Sequence, residues 1–213
     1  MTPVQEFVAR LAAVSLPPHL GNPYAFGVEA GNSLRRANLT RYLDEMQARE
    51  TAVLLLGEAP GYLGCCLTGI PFTSPYNLQA GFPGPGYETN AEWHTVRREP
   101  TATIVRETLA GAEVWPLLWN ALPFHPHRPG EPASNRTPSR QELDCGRPFL
   151  LDLLDLFPIR TLIAVGRQAD RALTAWDISA EGGHETVRHP SHGGKQAFQQ
   201  GLWAILQAHD RRR

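Results

Sequence analysis

The chain has 213 residues, of which 42% are hydrophobic and 19% are charged, and its formal net charge is −1 at pH 7. This length is enough to bury a substantial core within one domain, and a mean hydropathy of −0.30 is ordinary for a soluble globular protein. The near-neutral charge argues against a protein that coats nucleic acid nonspecifically, while a local basic stripe would still allow contacts with phosphates.

The first residues of the chain and its cysteines indicate the cellular compartment of the protein and whether it has a membrane partner. Residues 1–6 lack the basic-then-apolar layout of a signal peptide, and no apolar run is long enough to span a bilayer. Three cysteines, two of them adjacent (Cys65 and Cys66), do not suggest a disulfide framework. We therefore expect a cytoplasmic, monomeric protein with no membrane partner.

A single domain is predicted over residues 1–213, with an N-terminal helical layer at residues 1–50 and an α/β core at residues 51–210. In the N-terminal layer, apolar residues recur at helical spacing (Val4, Phe7, Val8 and Leu11, then Leu39, Tyr42 and Met46). Asn32 or Ser33 is the candidate cap of the second helix, whose arginines (Arg35, Arg36 and Arg41) are expected to form a solvated face.

A buried strand is predicted at residues 53–57, because a short apolar run is closed there by a glycine. The loop at residues 58–72 follows, in which Pro60 fixes φ and several glycines allow close approach of the backbone to a ligand. In an open parallel sheet, ligands sit just beyond the carboxyl ends of strands. This loop is therefore the first candidate for a functional site, and a glycine-rich loop that merely caps the strand is the alternative.

Helices and strands alternate along the rest of the chain. Residues 73–100 are expected to be irregular but packed by aromatic side chains, and residues 123–138 to form a Pro-rich loop. A capping box of Ser139 and Glu142 starts a helix that is predicted to run to residue 156. Other predicted elements are strands at 114–119 (ending at Asn120), 161–165 and 185–188, and helices at 101–109, 168–176 and 198–209. This order predicts an α/β fold with a mainly parallel sheet and helices on both faces.

Three predicted strands end in polar side chains, which are Glu58, Asn120 and His189. Each of them alone would usually be a satisfied structural group. Because the carboxyl ends of parallel strands meet at one edge of the sheet, together they predict a polar pocket with Phe72 as an aromatic wall.

Five segments that carry these residues follow one another in an ordered set. They are residues 57–61 with 68–72, Asn120 after a strand, residues 135–138, residues 145–150, and Gly166-Arg167 followed by His189-Pro190-Ser191. From about residue 53 to residue 198 the chain resembles the uracil-DNA glycosylase superfamily. Its motif sequences are most similar to those of the iron–sulfur, thermophile-type branch. The resemblance implies a three-layer α/β/α sandwich with a central four-stranded sheet. It also implies an enzyme of base-excision repair that cleaves uracil, or a related deaminated base, from DNA without a catalytic metal.

The resemblance also implies roles for individual residues. Phe72 would stack on the flipped base, Asn120 would read its edge, and His189 would stabilise the leaving base. The backbone of Gly57, Ala59, Pro60 and Gly61 would surround the base. The segment that follows His189 would contact DNA through Ser191, His192, Gly193 and Lys195, the only lysine, although it lacks the apolar wedge that relatives often carry.

The chain departs from the branch in three respects. Only Cys145 stands where a cluster cysteine belongs and Phe124 replaces another, so we expect no iron–sulfur cluster and no other cofactor. The water-activating carboxylate of the best-known relatives falls at Ala59, and Glu58 is the candidate substitute. Gly61 stands where the classical uracil enzymes of the superfamily carry a tyrosine that excludes the thymine methyl, which predicts a more permissive pocket.

Other interpretations remain open at this point. A catalytically silent DNA- or nucleobase-binding module on the same fold would keep Phe72 and Asn120, and an unrelated α/β small-molecule binder is a third candidate. Histidines at 125 and 127, or at 184, 189 and 192, do not have the spacing of a standard metal site. A thiol nucleophile has no identified base, and the glycines do not match a dinucleotide fingerprint.

Overall fold

The computed structural model describes residues 1–27, 31–90, 93, 97–180 and 183–211. Within these ranges the helices are α1 (Pro3–Ala12), α2 (Asn32–Ala48), α3 (Cys65–Thr68), α4 (Pro75–Gln79), α5 (Pro100–Leu109), α6 (Arg140–Asp144), α7 (Arg147–Leu156), α8 (Arg167–Trp176) and α9 (Lys195–Asp210). The strands are β1 (Leu20–Gly21), β2 (Val53–Gly57), β3 (Leu117–Asn120), β4 (His125–Pro126), β5 (Thr161–Val165) and β6 (Glu185–Val187). Among the described residues, no helix is both long and apolar enough to cross a membrane.

The central sheet is parallel throughout and has the strand order β3-β2-β5-β6. Every residue of β2 is buried, which explains its continuous apolar run, because helices cover both faces of such a sheet. The predicted bounds of β2 and β5 agree with the structure. The predicted α/β fold with a four-stranded, mainly parallel sheet is confirmed, and the sheet is in fact all parallel.

The crossover connections distribute the helices over the two faces. In this order, the connection from β2 to β3 moves toward the β3 edge of the sheet. The connections from β3 to β5 and from β5 to β6 move in the opposite direction, toward the β6 edge. Right-handed crossovers therefore place α5 on one face and α6, α7 and α8 on the other. Helix α9 packs against α5, and α1 packs against α7. The ring of Phe7 lies 5.6 Å from that of Trp119 and 6.0 Å from that of Phe149, so α1 completes the core of the second face.

Two element boundaries differ from those predicted. The strand expected from residue 114 begins at Leu117, because Pro116 has no N–H to donate to a sheet. The helix expected at 139–156 is two helices that are interrupted at Cys145 and Gly146. A side chain at Gly146 would collide with the carbonyl oxygen of Ala121, so this break lets the backbone pass directly under β3. The predicted capping box is present, with the Ser139 N–H donating to Glu142 Oε2 at 2.7 Å.

The predicted side-chain cap of α2 is wrong. Gly31, with φ of 99°, precedes the helix, and no side chain caps its N-terminus. Asn32 is buried, and its Nδ2 donates to the Ala25 carbonyl at 3.2 Å, which ties the helix to the preceding segment.

The arginines of α2 do not form a simple solvated face. Nη1 of Arg36 donates to the carbonyls of Tyr24 at 2.9 Å and Ala25 at 2.7 Å. Arg41 donates to the Pro85 carbonyl at 3.0 Å. These guanidinium groups satisfy carbonyls of the irregular segments on either side of α2, which the charge pattern alone does not reveal.

A small antiparallel pairing, absent from the sequence prediction, joins distant parts of the chain. Leu20 pairs with Pro126, and Gly21 pairs with His125. This pairing fixes the Pro-rich loop that follows β3 against the N-terminal segment. The loop consequently forms one wall of the cavity described next.

Candidate active site

A cavity of about 580 Å³ opens at the carboxyl ends of the parallel strands. Its lining includes all eight residues predicted for catalysis and base binding: Gly57, Glu58, Ala59, Pro60, Gly61, Phe72, Asn120 and His189. They come from the ends of β2 and β3, from the loop after β2 and from the turn after β6. The topology of the sheet therefore brings these separate segments to one place.

Gly57 lies between Asn120 and Phe72 at the end of β2. It pairs with Asn120 across β2 and β3, and a Cβ at position 57 would lie 2.6 Å from Asn120 Oδ1 and 2.7 Å from Phe72 Cζ. Real Cβ atoms do not approach other atoms so closely. Only glycine at this position lets the amide and the aromatic ring converge on the same space.

The side chain of Asn120 is available to a ligand. The residue is 5% exposed and lines the cavity, and its amide makes no hydrogen bond with any residue that the structure describes. The amide is therefore open to the cavity, where a bound ligand can replace water as its hydrogen-bond partner.

Phe72 is held in an unusual backbone conformation, with φ of 56°. A bulky residue at positive φ is strained and persists only where its surroundings fix it. The flanking loop is fixed by buried hydrogen bonds: Thr73 Oγ1 donates to the Ile70 carbonyl at 2.8 Å, and the Tyr24 hydroxyl donates to the Gly69 carbonyl at 2.9 Å. The ring is therefore presented to the cavity by a rigid loop.

His189 is oriented by the turn that follows it. The backbone N–H of Ser191 donates to His189 Nδ1 at 3.2 Å, and Ser191 Oγ lies 2.7 Å from the same nitrogen. Because a backbone N–H can only donate, Nδ1 accepts, and the proton of the neutral ring lies on Nε2. Burial, then the nearby His192 and Arg188, lowers the pKa of His189, which favours this neutral form at neutral pH.

Glycines on either side allow the turn to hold His189. A side chain at Gly194 would collide with the His189 carbonyl oxygen, and a Cβ at Gly166 would lie 2.9 Å from His189 Cβ. His192 and Gly193 both have positive φ, of 51° and 76°. The turn is thus wound tightly around the backbone of His189.

Glu58 carries a carboxylate without a protein partner. It lines the cavity and an adjoining cleft of about 600 Å³, and it makes no hydrogen bond or ion pair through its side chain in the described part of the chain. Its backbone carbonyl accepts from the N–H of Leu122 at 2.9 Å, which fixes its position beside β3. Burial raises the pKa of Glu58 above its ordinary value.

The sequence analysis gave no site role to several polar residues that line the cavity, among them Asn135, which lies in the motif segment 135–138, and Glu99. Oδ1 of Asn135 accepts from the N–H of Tyr62 at 3.1 Å, which braces the loop after β2. Glu99 caps α5, and its Oε1 accepts from the N–H of Thr101 at 3.0 Å. Only Pro100 after Glu99 marks that helix start in the sequence, and no local pattern indicates that Glu99 reaches the cavity. For Asn135 the available signal was its place in the motif segment 135–138.

The residues predicted to contact DNA lie beside the cavity. Ser191 and His192 line the adjoining cleft together with three arginines (Arg167, Arg171 and Arg188). Lys195 begins α9, and its Nζ lies 2.7 Å from Glu107 Oε2 on α5 in an exposed ion pair. Within the described residues, the segment therefore forms a partly cationic rim.

The alternative metal sites are not supported. Among the described residues, no three His, Cys, Asp or Glu side chains form a group that could hold a metal ion. Nδ1 of His125 donates to the Pro60 carbonyl at 2.8 Å, and Nε2 of His184 lies 2.8 Å from Asp170 Oδ1. These histidines serve the structure of the loops around the cavity.

The cysteines fit neither a cluster nor a nucleophile. Phe124 is fully buried and packs edge-on against Phe149 at 5.9 Å, so the residues present do not fit a four-cysteine cluster there. Cys145 is exposed. Burial raises the pKa of Cys65 to about 12 and also raises that of Cys66, which disfavours the thiolate.

Comparison with known proteins identifies the family. In structure the chain is similar to wild-type SMUG2 of Pedobacter heparinus, with a TM-score of 0.68, 16% identity and 99% of each chain covered. It is also matched to UNG of Nitratifractor salsuginis, with a TM-score of 0.41, 17% identity and 97% of each chain covered. No curated protein sequence matches the chain. The family profile of the uracil DNA glycosylase superfamily matches residues 43–208. The chain therefore belongs to the uracil DNA glycosylase superfamily.

Proposed function

We propose that the protein is a DNA glycosylase of base-excision repair that cleaves the N-glycosidic bond of uracil, or of a related deaminated base, flipped out of DNA. One observation carries this proposal. The buried, unpartnered amide of Asn120 meets Phe72 in the same cavity as His189, whose free ring nitrogen is a donor. A stacking ring, an edge-reading amide and a leaving-group donor are what a base-excision site requires.

Base recognition follows from the first two groups. A base inside a duplex is unreachable, so the nucleotide must leave the stack, and contacts in the pocket offset that cost. Phe72 would stack on the base. The Asn120 amide offers one donor group and one acceptor, which together match the carbonyl and N–H of the uracil edge and mismatch that of cytosine.

Bond cleavage follows from His189. When the C1′–N bond breaks, its electron pair goes to the base and the sugar becomes an oxocarbenium ion. The Nε2–H of neutral His189 would donate to the base carbonyl on which that charge develops. Because Ser191 already occupies Nδ1, this donor is oriented before the substrate binds.

Water would then complete the reaction. It adds to C1′ and loses a proton, which the Glu58 carboxylate would accept; its position at the cavity without another partner supports this role. A raised pKa brings this carboxyl closer to the working pH, where general bases are most effective. Ser191, His192 and Gly193, with Arg167, Arg171 and Arg188 beside them, would hold the phosphates of the DNA strand, and Lys195 would join them by leaving its ion pair with Glu107.

A silent binding module on the same fold is the second candidate, and Ala59 at the position of the familiar carboxylate favours it. An excision assay decides between them, with oligonucleotides that contain uracil, hypoxanthine or xanthine in single and double strands. The wild type should release at least one base, and Asn120→Ala should lose both rate and discrimination of the pyrimidine edge. Binding of DNA without release of any base would establish the silent module instead.

A further inference from the structure

Three hydrogen-bonded side chains lie in the turn after β6, and one of them has no part in binding the base. Ser191 Oγ lies 2.7 Å from His189 Nδ1, and His192 Nδ1 lies 3.0 Å from the same oxygen. His192 therefore contacts the hydroxyl that contacts the candidate catalytic imidazole. We call these three side chains the His–Ser–His chain.

The backbone fixes the direction of each hydrogen bond in the His–Ser–His chain. The N–H of Ser191 donates to His189 Nδ1 at 3.2 Å, so this nitrogen is an acceptor. The Ser191 hydroxyl must then give its single proton to the same nitrogen, since two acceptors do not bond to each other. With that proton used, Ser191 Oγ can only accept from His192, so Nδ1 of His192 carries a hydrogen. The last donor of the chain is the Nε2–H of His189.

His192 has a backbone conformation that suits glycine better. Its φ is 51°, a left-handed value that is strained for a residue with a side chain, and glycine would be free of that strain. The residue is exposed, so packing in the core does not explain the side chain. Within the described ranges, the one hydrogen bond of its ring goes to Ser191. That contact is therefore what a histidine adds at this position.

We propose that His192 is a positioning residue for base excision, which aims the Ser191 hydroxyl at His189 Nδ1 and so fixes the donor to the leaving base. Without His192 the hydroxyl can rotate, and phosphate oxygens of DNA beside the turn would compete for its proton. His189 would then keep only the backbone donor on Nδ1, and its ring would be held less firmly. This inference rests on the proposed function, since it takes His189 to stabilise the leaving base.

Two substitutions at position 192 separate the donor from the bulk of the side chain. Asparagine tolerates positive φ, and its Nδ2 has the same place relative to Cγ as Nδ1 of histidine, so it can donate to Ser191. Glycine relieves the strain and offers no donor. Single-turnover excision at saturating enzyme should fall about three- to tenfold in His192→Gly, the effect of one neutral hydrogen bond, and less than about twofold in His192→Asn. Equal rates in the two variants would overturn the inference.

A double substitution tests whether His192 acts through Ser191. Ser191→Ala removes the hydroxyl and keeps the backbone N–H on His189, and it should slow excision about as much as His192→Gly. In the Ser191→Ala background, His192→Gly should cost less than about twofold more, because residues that act through a shared group are not additive. Full additivity of the two losses would show that His192 acts independently of Ser191.

Affinity and stability are measured beside the rate. If the His192 ring also meets a phosphate, His192→Gly and His192→Asn should lose the same affinity for a lesion-free strand. Weaker binding by His192→Gly with a wild-type single-turnover rate would refute the positioning role. Asp177→Gly is the matched control, because it relieves the same left-handed conformation, with φ of 53°, at the C-terminal end of α8. It should excise like the wild type.

A histidine NMR titration with isotope-labelled protein tests the chain without any excision. The Ser191 hydroxyl donates to the neutral ring of His189, which lowers the pKa of that ring, and the nearby His192 lowers it further. The pKa of His189 should therefore rise in His192→Asn and rise more in His192→Gly. The other charged groups that line the cleft beside His189 are the same in every variant: Glu58, Arg167, Arg171 and Arg188.

The outcomes separate this inference from the proposed function. The same pKa of His189 in His192→Asn and His192→Gly would overturn the inference, whether or not a base is released. Absence of base release by the wild type, with the expected order of pKa values intact, would refute the proposed function and leave the His–Ser–His chain in place.

Discussion

Replacing Glu58 with glutamine isolates the step that the sequence made hardest to assign. The substitution keeps the size of the side chain and removes its ability to accept a proton. A positioned general base contributes about 10²–10⁴-fold to a rate, and we expect a loss in that range for Glu58→Gln. We expect a rate loss near the lower end of that range, because the proposed stabilisation of the leaving base by His189 does not depend on Glu58.

The pH dependence has a definite sign. A base acts in its ionised form, so the rate is present above the pKa of Glu58 and is lost as the pH falls through it. Burial raises that pKa, so the loss should begin at a higher pH than for an ordinary glutamate. The rate of Glu58→Gln should not show this fall at low pH. Its stability should not fall, because burial of the ionised carboxylate is unfavourable.

Single-turnover rates on a uracil-containing strand, measured from about pH 4 to about pH 8, provide the test. Glu99→Gln is the matched control, since Glu99 lines the same cavity but its oxygens already accept from the N-terminus of α5. This control should lose much less activity. Equal losses in the two variants, or a wild-type rate in Glu58→Gln, would show that Glu58 does not activate the water.

Three further substitutions probe other walls of the cavity. His189→Ala should lower single-turnover excision by roughly 10²–10³, the loss of one transition-state donor, and a wild-type rate would contradict its role. Gly57→Ala should lower the free energy of unfolding by about 1–3 kcal/mol and slow excision, because the added Cβ would overlap Asn120 and Phe72. Unchanged stability in thermal denaturation would refute that packing. Gly61→Tyr should reduce cleavage of 5-substituted uracils relative to uracil, since an added Cβ there meets nothing closer than 3.8 Å; identical selectivity would show that position 61 is not a wall.

The sequence predicted which residues meet at the edge of the sheet better than it predicted the loops, and the reason is topological. Glu58, Asn120 and His189 each follow or end a parallel strand, and such strand ends necessarily share one edge of the sheet. Asn135 and Glu99 reach the same cavity from loops and a helix start. Their positions depend on long-range contacts, such as the pairing of β1 with β4, for which no local pattern exists.

The errors within regular elements have a similar origin. Gly146 interrupts the helix predicted at 139–156 because the backbone passes beneath Ala121, which lies 25 positions earlier in the sequence. A capping box at Ser139 signals the start of a helix and carries no information about such an obstacle. Local chemistry therefore predicts where elements begin, and packing decides where they break.

The turn after β6 bears on which kind of DNA the proposed glycosylase would act on. Its tight winding, with Gly194 against the His189 carbonyl and the Ser191 N–H on Nδ1, serves to hold the imidazole. Residues 191–197 contain no large apolar side chain that could act as a wedge between base pairs. Extrusion of a base from a duplex therefore lacks mechanical support in this turn. A single strand needs no such wedge, because its bases are already unpaired and cost less to rotate into the cavity.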